Sequence, residues 1–175
     1  MSSVSLRPIN LADTDKIVSW RNNPTVKRYL FTQTVLTNEQ HILYYKDSIL
    51  TGKCAQFIIE IKDNKKNISS IGTIFIKNID KVNHCGEYGI FIGDDLARGK
   101  GYAKKATQLI LEYGFEELKL HRISLKVMAD NFPALKVYKA MGFKQEGIER
   151  DAYLREDGYV DIILMAILEN EWVNS

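Results

Sequence analysis

The sequence predicts one α/β domain, a mixed and mainly antiparallel sheet of about seven strands with helices on both faces. Three observations carry this expectation. Apolar periodicity is helical through the N-terminal third and changes to alternating or β-branched runs from Ala55 onward. A long amphipathic stretch after Gly101 lies between strand-like runs, and a helical crossover of that kind joins parallel neighbours in a sheet. Two further runs flank Asp157-Gly158, a hairpin signal.

Taken in order, Val4 to Arg7 alternates as a short strand, and Asn10 is placed to cap a helix ending near Asn22. Pro24 opens a second short helix, and Thr37-Asn38-Glu39-Gln40 has capping-box spacing for a third that runs to Gly52. Phe57 to Ile61, Ile71 to Ile76 and Tyr88 to Ile92 follow as successive antiparallel strands separated by polar turns. Ala103, Ala106, Ile110, Tyr113 and Leu118 recur at helical steps and define the long amphipathic helix. Ile123 to Met128 is a strand, and Asn131 to Met141 is a helix that exits through Gly142. Lys144 to Leu154 and Tyr159 to Leu168 make the hairpin. No repeat or low-complexity linker interrupts the series, so residues 1–175 are expected to form a single domain.

Composition narrows the function classes. With 45% hydrophobic and 26% charged residues the chain has ordinary globular content, and a net charge of +2 argues against nucleic acid as a partner. No run approaches the ~20 apolar residues of a membrane span. Met1 to Asn10 lacks the basic start and apolar run of a signal peptide, so no membrane association and a cytoplasmic location are expected. Cys54 and Cys85 are isolated and no histidines are paired, which suggests neither a disulfide nor a metal site.

The chemistry concentrates at Arg98-Gly99-Lys100-Gly101-Tyr102-Ala103, between a strand and the long helix. A helix start leaves backbone N–H groups without intrahelical partners, glycines let the backbone approach a ligand, and Arg98, Lys100, Lys104 and Lys105 add positive charge. A diphosphate suits such a loop. Two other phosphate loops fail on spacing: a dinucleotide fingerprint starting at Gly99 needs glycine or alanine where Lys104 stands, and a magnesium-binding P-loop needs serine or threonine where Gly101 stands.

This loop resembles the acetyl-CoA loop of the GNAT N-acetyltransferase superfamily, R/Q-x-x-G-x-G/A, with Arg98, Gly101 and Ala103 filling the pattern. The resemblance extends to Asn131 and Ala134 and to Val137-Tyr138-Lys139-Ala140-Met141-Gly142-Phe143, and it covers Leu6 to about Trp172. It implies acetyl-CoA as cosubstrate, no metal, and a sheet that splays between the strand ending near Ile92 and the strand Ile123 to Met128. Backbone N–H groups of Ile90, Phe91 and Ile92 would then hold the pantetheine arm and polarise the thioester carbonyl. Asn131 can cap its helix, contact the pantetheine, or do both.

The resemblance also assigns roles. A lysine-like amine has a pKa of about 10.4 and needs a base near neutral pH; Glu87, on the strand before the loop, is the candidate, acting directly or through water. Tyr138 matches the family's tyrosine acid, which returns a proton to the departing thiolate. His84 and His41 are chemically competent bases that rank below Glu87, and His121 has no assigned role. Tyr138 and Glu87 together favour catalysis over the alternative of a non-catalytic acyl-CoA-binding module.

The resemblance implies a small-molecule or peptide amine as acceptor. Trp20-Arg21-Asn22 and His41 resemble the acceptor region of enzymes that acetylate nucleotide-linked amino sugars, where Arg21 would meet a phosphate and Trp20 a flat surface. Equally, Trp20 can be core and Arg21 a structural bridge. Polyamine (spermidine) acetyltransferases are a second resemblance, although Phe31-Thr32-Gln33-Thr34 offers no acidic cluster. Ribosomal-protein N-terminal alanine acetyltransferases are a third. The last hairpin could pair across a homodimer.

Overall fold

The structure, a computed structural model, describes residues 3–172. β1 (Ser3–Pro8) leads through a 3-10 turn to α1 (Thr14–Asn22), α2 (Pro24–Lys27) and α3 (Asn38–Tyr44), which continues into a π-helical turn. β2 (Ala55–Lys62), β3 (Ile68–Asp80) and β4 (Cys85–Ile92) form a meander. α4 (Tyr102–Glu112) continues as a π-helical turn over Tyr113–Glu117, and β5 (Arg122–Met128), α5 (Phe132–Ala140), β6 (Lys144–Arg155), β7 (Gly158–Leu168) and α6 (Glu169–Trp172) complete the order.

Side chains beside the boundaries explain most of them. Asn10 accepts from the Ala12 N–H while Asp13 returns a bond to the Asn10 N–H, so the cap starts the 3-10 turn that precedes α1. Thr37 and Gln40 make the same reciprocal pair before α3. Pro24 is the first residue of α2, where a missing N–H costs nothing, and Asn131 caps α5 by accepting from the Ala134 N–H at 3.3 Å. Two features were not anticipated from sequence. β3 is longer than the run Ile71 to Ile76, and α6 follows β7 directly, its Glu171 accepting from the Leu168 N–H and pairing with Lys144.

The seven strands lie in the order β1-β2-β3-β4-β5-β7-β6. Every neighbouring pair is antiparallel except β4 and β5, which α4 joins by a parallel crossover. One face packs on α4 and α5 through a large core that includes Ile59, Ile74, Ile76, Ile110, Ile123 and Ile167, all fully buried. The other face carries a smaller cluster of Ile9, Ile17 and Ile58 under α1, with Trp20 packed against it. Burying each such isoleucine contributes roughly 1.5–3 kcal/mol.

Candidate active site

β4 and β5 pair only through Cys85, Gly86 and Glu87 opposite Arg122, Ile123 and Ser124; beyond them the strands part. The Gly93 N–H donates to the Ile71 carbonyl on β3 at 2.8 Å. By strand alternation Phe91 and Gly89 therefore also turn their main-chain groups to β3, while Ile90 and Ile92 turn theirs toward the gap. The gap is thus lined by strand-edge donors and acceptors, and an extended amide-bearing chain can pair with them as an added strand would. Of the three residues expected to hold the pantetheine, Ile90 and Ile92 face the gap and Phe91 does not.

At the gap's upper end the loop enters α4 through Gly101, in the left-handed conformation at φ +79°, with Gly99 at φ +73°. Both angles suit glycine alone without strain. No side chain caps α4, so the N–H groups of Tyr102, Ala103 and Lys104 precede its first intrahelical bond, from Lys105 to Gly101. Together with the helix dipole and the exposed Lys100, Lys104 and Lys105, they favour negative charge at this end of the gap. Arg98 is placed differently from expectation. Its guanidinium donates to the Ile92 carbonyl at 3.0 Å and pairs with Asp95 at 2.9 Å, so it fastens the loop to the end of β4.

Tyr138, on α5, is buried on the α4 side of the sheet, edge-on to Tyr88 at 5.5 Å between ring centroids. Burial raises its pKa above the ordinary phenol value, so it keeps its proton at neutral pH. The Thr107 hydroxyl donates to the Ala103 carbonyl and accepts from the Tyr88 hydroxyl, which ties Tyr88 to the first turn of α4. Among the described residues nothing hydrogen-bonds the Tyr138 hydroxyl. Sequence reasoning missed Tyr88 and Thr107, because their link depends on β4 and α4 being packed together.

Glu87 stands on the opposite face at the point where the strands begin to part. One carboxylate oxygen pairs with Lys77 at 3.0 Å and the other accepts from Asn78 at 3.0 Å. His84 is exposed in the turn before β4 and bonds the Lys119 carbonyl. Among the described residues no cluster of histidine, cysteine or carboxylate side chains could hold a metal ion, and no helix is long and apolar enough to cross a membrane.

A sheet split beside a glycine-bounded helix start is the arrangement the sequence led us to expect of an acetyltransferase, and the sequence model described as the acetyltransferase (GNAT) domain matches residues 3–144. The chain belongs to the GNAT acetyltransferases. Similar proteins include the N-acetyltransferase p20 of Bacillus licheniformis, 31% identical over 97% of this chain and 94% of that protein. The spermidine N(1)-acetyltransferase of Vibrio cholerae is 28% identical over 99% and 97% of the two chains. A crystal structure of spermidine N-acetyltransferase from Vibrio cholerae, in complex with CoA and spermine, superposes with a TM-score of 0.87 at 27% identity, covering 98% of each chain. This N-acetyltransferase uses acetyl-CoA, and the gap and the α4 N-terminus fit that cosubstrate.

The acceptor residues read from sequence divide in two on this GNAT scaffold. Asn22 is a clip: its amide donates to the Leu36 carbonyl at 2.8 Å and accepts from the Leu36 N–H at 2.9 Å, tying α1 to the segment before α3. Trp20 packs against the cluster of Ile9, Ile17 and Ile58 and on Gly93 at the end of β4, with the Lys16 ammonium 5.7 Å from its ring. His41 is 2% exposed; Nδ1 bonds the Thr14 hydroxyl at 3.0 Å and Nε2 is buried without a partner. Burial first, and the nearby Arg21 second, lower its pKa, so the ring is neutral at pH 7. Arg21 is itself largely out of water, which lowers its own pKa, and no carboxylate pairs with it among the described residues.

Proposed function

We propose that this acetyltransferase moves the acetyl group to a small primary amine by direct attack on the thioester, and that the acceptor also carries an anionic group, as a nucleotide-linked amino sugar does. The observation that carries the acceptor reading is Arg21, a mostly buried guanidinium left without a carboxylate, beside a neutral His41 with an unused ring nitrogen. A cation half-withdrawn from water without a counter-charge is costly, and a phosphate or carboxylate offers the bidentate partner it lacks.

In this reading the Ile90 and Ile92 N–H groups bind pantetheine amides and polarise the thioester carbonyl. Glu87 takes the ammonium proton, through a water because both of its oxygens are engaged by Lys77 and Asn78. The amine nitrogen bonds to the carbonyl carbon, the carbon–sulfur bond breaks, Tyr138 protonates the departing thiolate from the other face of the sheet, and the acylated nitrogen sheds its remaining extra proton to water, from which Tyr138 regains one. Asn131 orders the start of α5, which sets the place of Tyr138.

A polyamine acceptor is the second reading, and the similarity to spermidine acetyltransferases along nearly the whole chain favours it over the amino sugar. Against it, residues 28–37 between α2 and α3 contain no acidic side chain to receive a polycation. Mass-spectrometric product detection with acetyl-CoA and a panel of nucleotide-linked amino sugars, polyamines and N-terminal peptides separates the readings. On the reading carried by Arg21 the product is the acetylated amino sugar, with Arg21→Ala raising its KM by about 10- to 100-fold. Acetylspermidine alone would transfer the assignment to the second reading.

A further inference from the structure

The last residues of β4 are held on three sides. Gly93 and Asp94 donate their N–H groups to the Ile71 carbonyl, at 2.8 and 3.0 Å, which draws the strand end toward β3. Arg98 reaches back to the Ile92 carbonyl on the gap side. On the face toward α1, the Trp20 ring sits directly on Gly93: a methyl group at position 93 would fall inside the ring, at Cγ, Cδ1 and Cδ2. Gly72 on β3 is bare in the same way, and a Cβ there would strike the Phe91 carbonyl oxygen and the Ile92 Cα.

Gly72 therefore lets β4 approach β3, and Gly93 lets the Trp20 ring close over the end of β4. Trp20 also packs against the small core of Ile9, Ile17 and Ile58 under α1, which anchors it there. We propose that Trp20 is a positioning residue for the donor: seated on Gly93, it sets the path of Ile90 to Ile92 away from β5 and keeps open the slot that receives the pantetheine arm. This rests on acetyl-CoA binding in the gap between β4 and β5. It also assigns Trp20 to the donor half of the site although it belongs to an acceptor-side helix, and so links α1 mechanically to the slot.

Calorimetric titration of the full chain with CoA tests the link without needing the acceptor. Gly93→Ala and Trp20→Ala are each expected to weaken CoA by about tenfold, because misplaced slot donors forfeit their bonds to the arm. The double variant Trp20→Ala/Gly93→Ala should bind no more weakly than Trp20→Ala alone, since the two changes disturb one contact. Adenosine 3′,5′-bisphosphate, which has no pantetheine arm, should bind all of them as it binds the unaltered protein. Multiplying losses in the double variant, or a parallel loss of the bisphosphate, would overturn the proposal. If Gly93→Ala does not fold, Trp20→Phe serves instead: a retained ring should keep CoA within about threefold, and a loss as large as that of Trp20→Ala refutes the seating role. Failure of the unaltered protein to bind CoA would instead remove the donor site itself.

Discussion

Burial keeps the Tyr138 proton in place to a pH above the ordinary phenol value of about 10, with the cost of solvating a phenolate in the aromatic cluster as the cause. Tyr138→Phe should lower kcat by about 10²- to 10⁴-fold while CoA affinity, measured by titration, stays unchanged. The alkaline limb of the unaltered enzyme's rate should not fall near pH 10, because a required proton is lost only as pH passes the raised value. A variant with normal kcat would remove Tyr138 from the chemistry. The place of Tyr138 on a helix that ends before Gly142-Phe143 was legible in sequence because that spacing is local. The contact of Trp20 with Gly93 was not, because only the folded sheet brings α1 onto the end of β4.

Elements whose boundary chemistry lies within a few residues were readable: Asn10, Pro24, Thr37, Gly101 and Asn131 each stand where a start was expected. The π-helical turn at Tyr113–Glu117 has no such local mark. It accompanies Gly114, where an added Cβ would lie 2.6 Å from Ile123 and 2.8 Å from Ile76, a tertiary requirement. Asp13 shows a boundary that also joins elements. It closes the Asn10 capping box and takes two bonds from Arg7 of β1, at 2.8 and 3.0 Å. Burial works to raise its pKa, but the Arg7 and Asn10 hydrogen bonds outweigh it and hold the carboxyl below the usual range. A depressed folded value means its stabilisation is present above the unfolded pKa of about 3.9 and disappears as pH falls through the folded value. Asp13→Asn should therefore cost about 1 kcal/mol in urea unfolding at neutral pH, and less at about pH 3. An equal cost at both would show that charge has no part in the join.

At the scale of the molecule, the sheet is two blocks, β1 to β4 and β5 to β7 with β6, that share three residue pairs and a core beneath α4 and α5. The crossover rule made the parallel junction legible from sequence, and only the family resemblance implied that pairing would stop so soon. In the proposed binding mode a pantetheine arm adds hydrogen bonds to both blocks across their unpaired edges, so donor binding should act on global stability. A ligand specific to the folded state at a hundredfold excess over its Kd stabilises by about 2.7 kcal/mol. For a chain of 175 residues that corresponds to a Tm increase of roughly 5–10 °C. Hydrogen exchange locates the effect: CoA should protect the Ile90 and Ile92 amides together with those of Tyr102 to Lys104, whereas adenosine 3′,5′-bisphosphate should protect only the helix start. Protection confined to the helix start with both ligands would mean that the arm does not bridge the blocks, and the stabilisation would then come from the anion site alone.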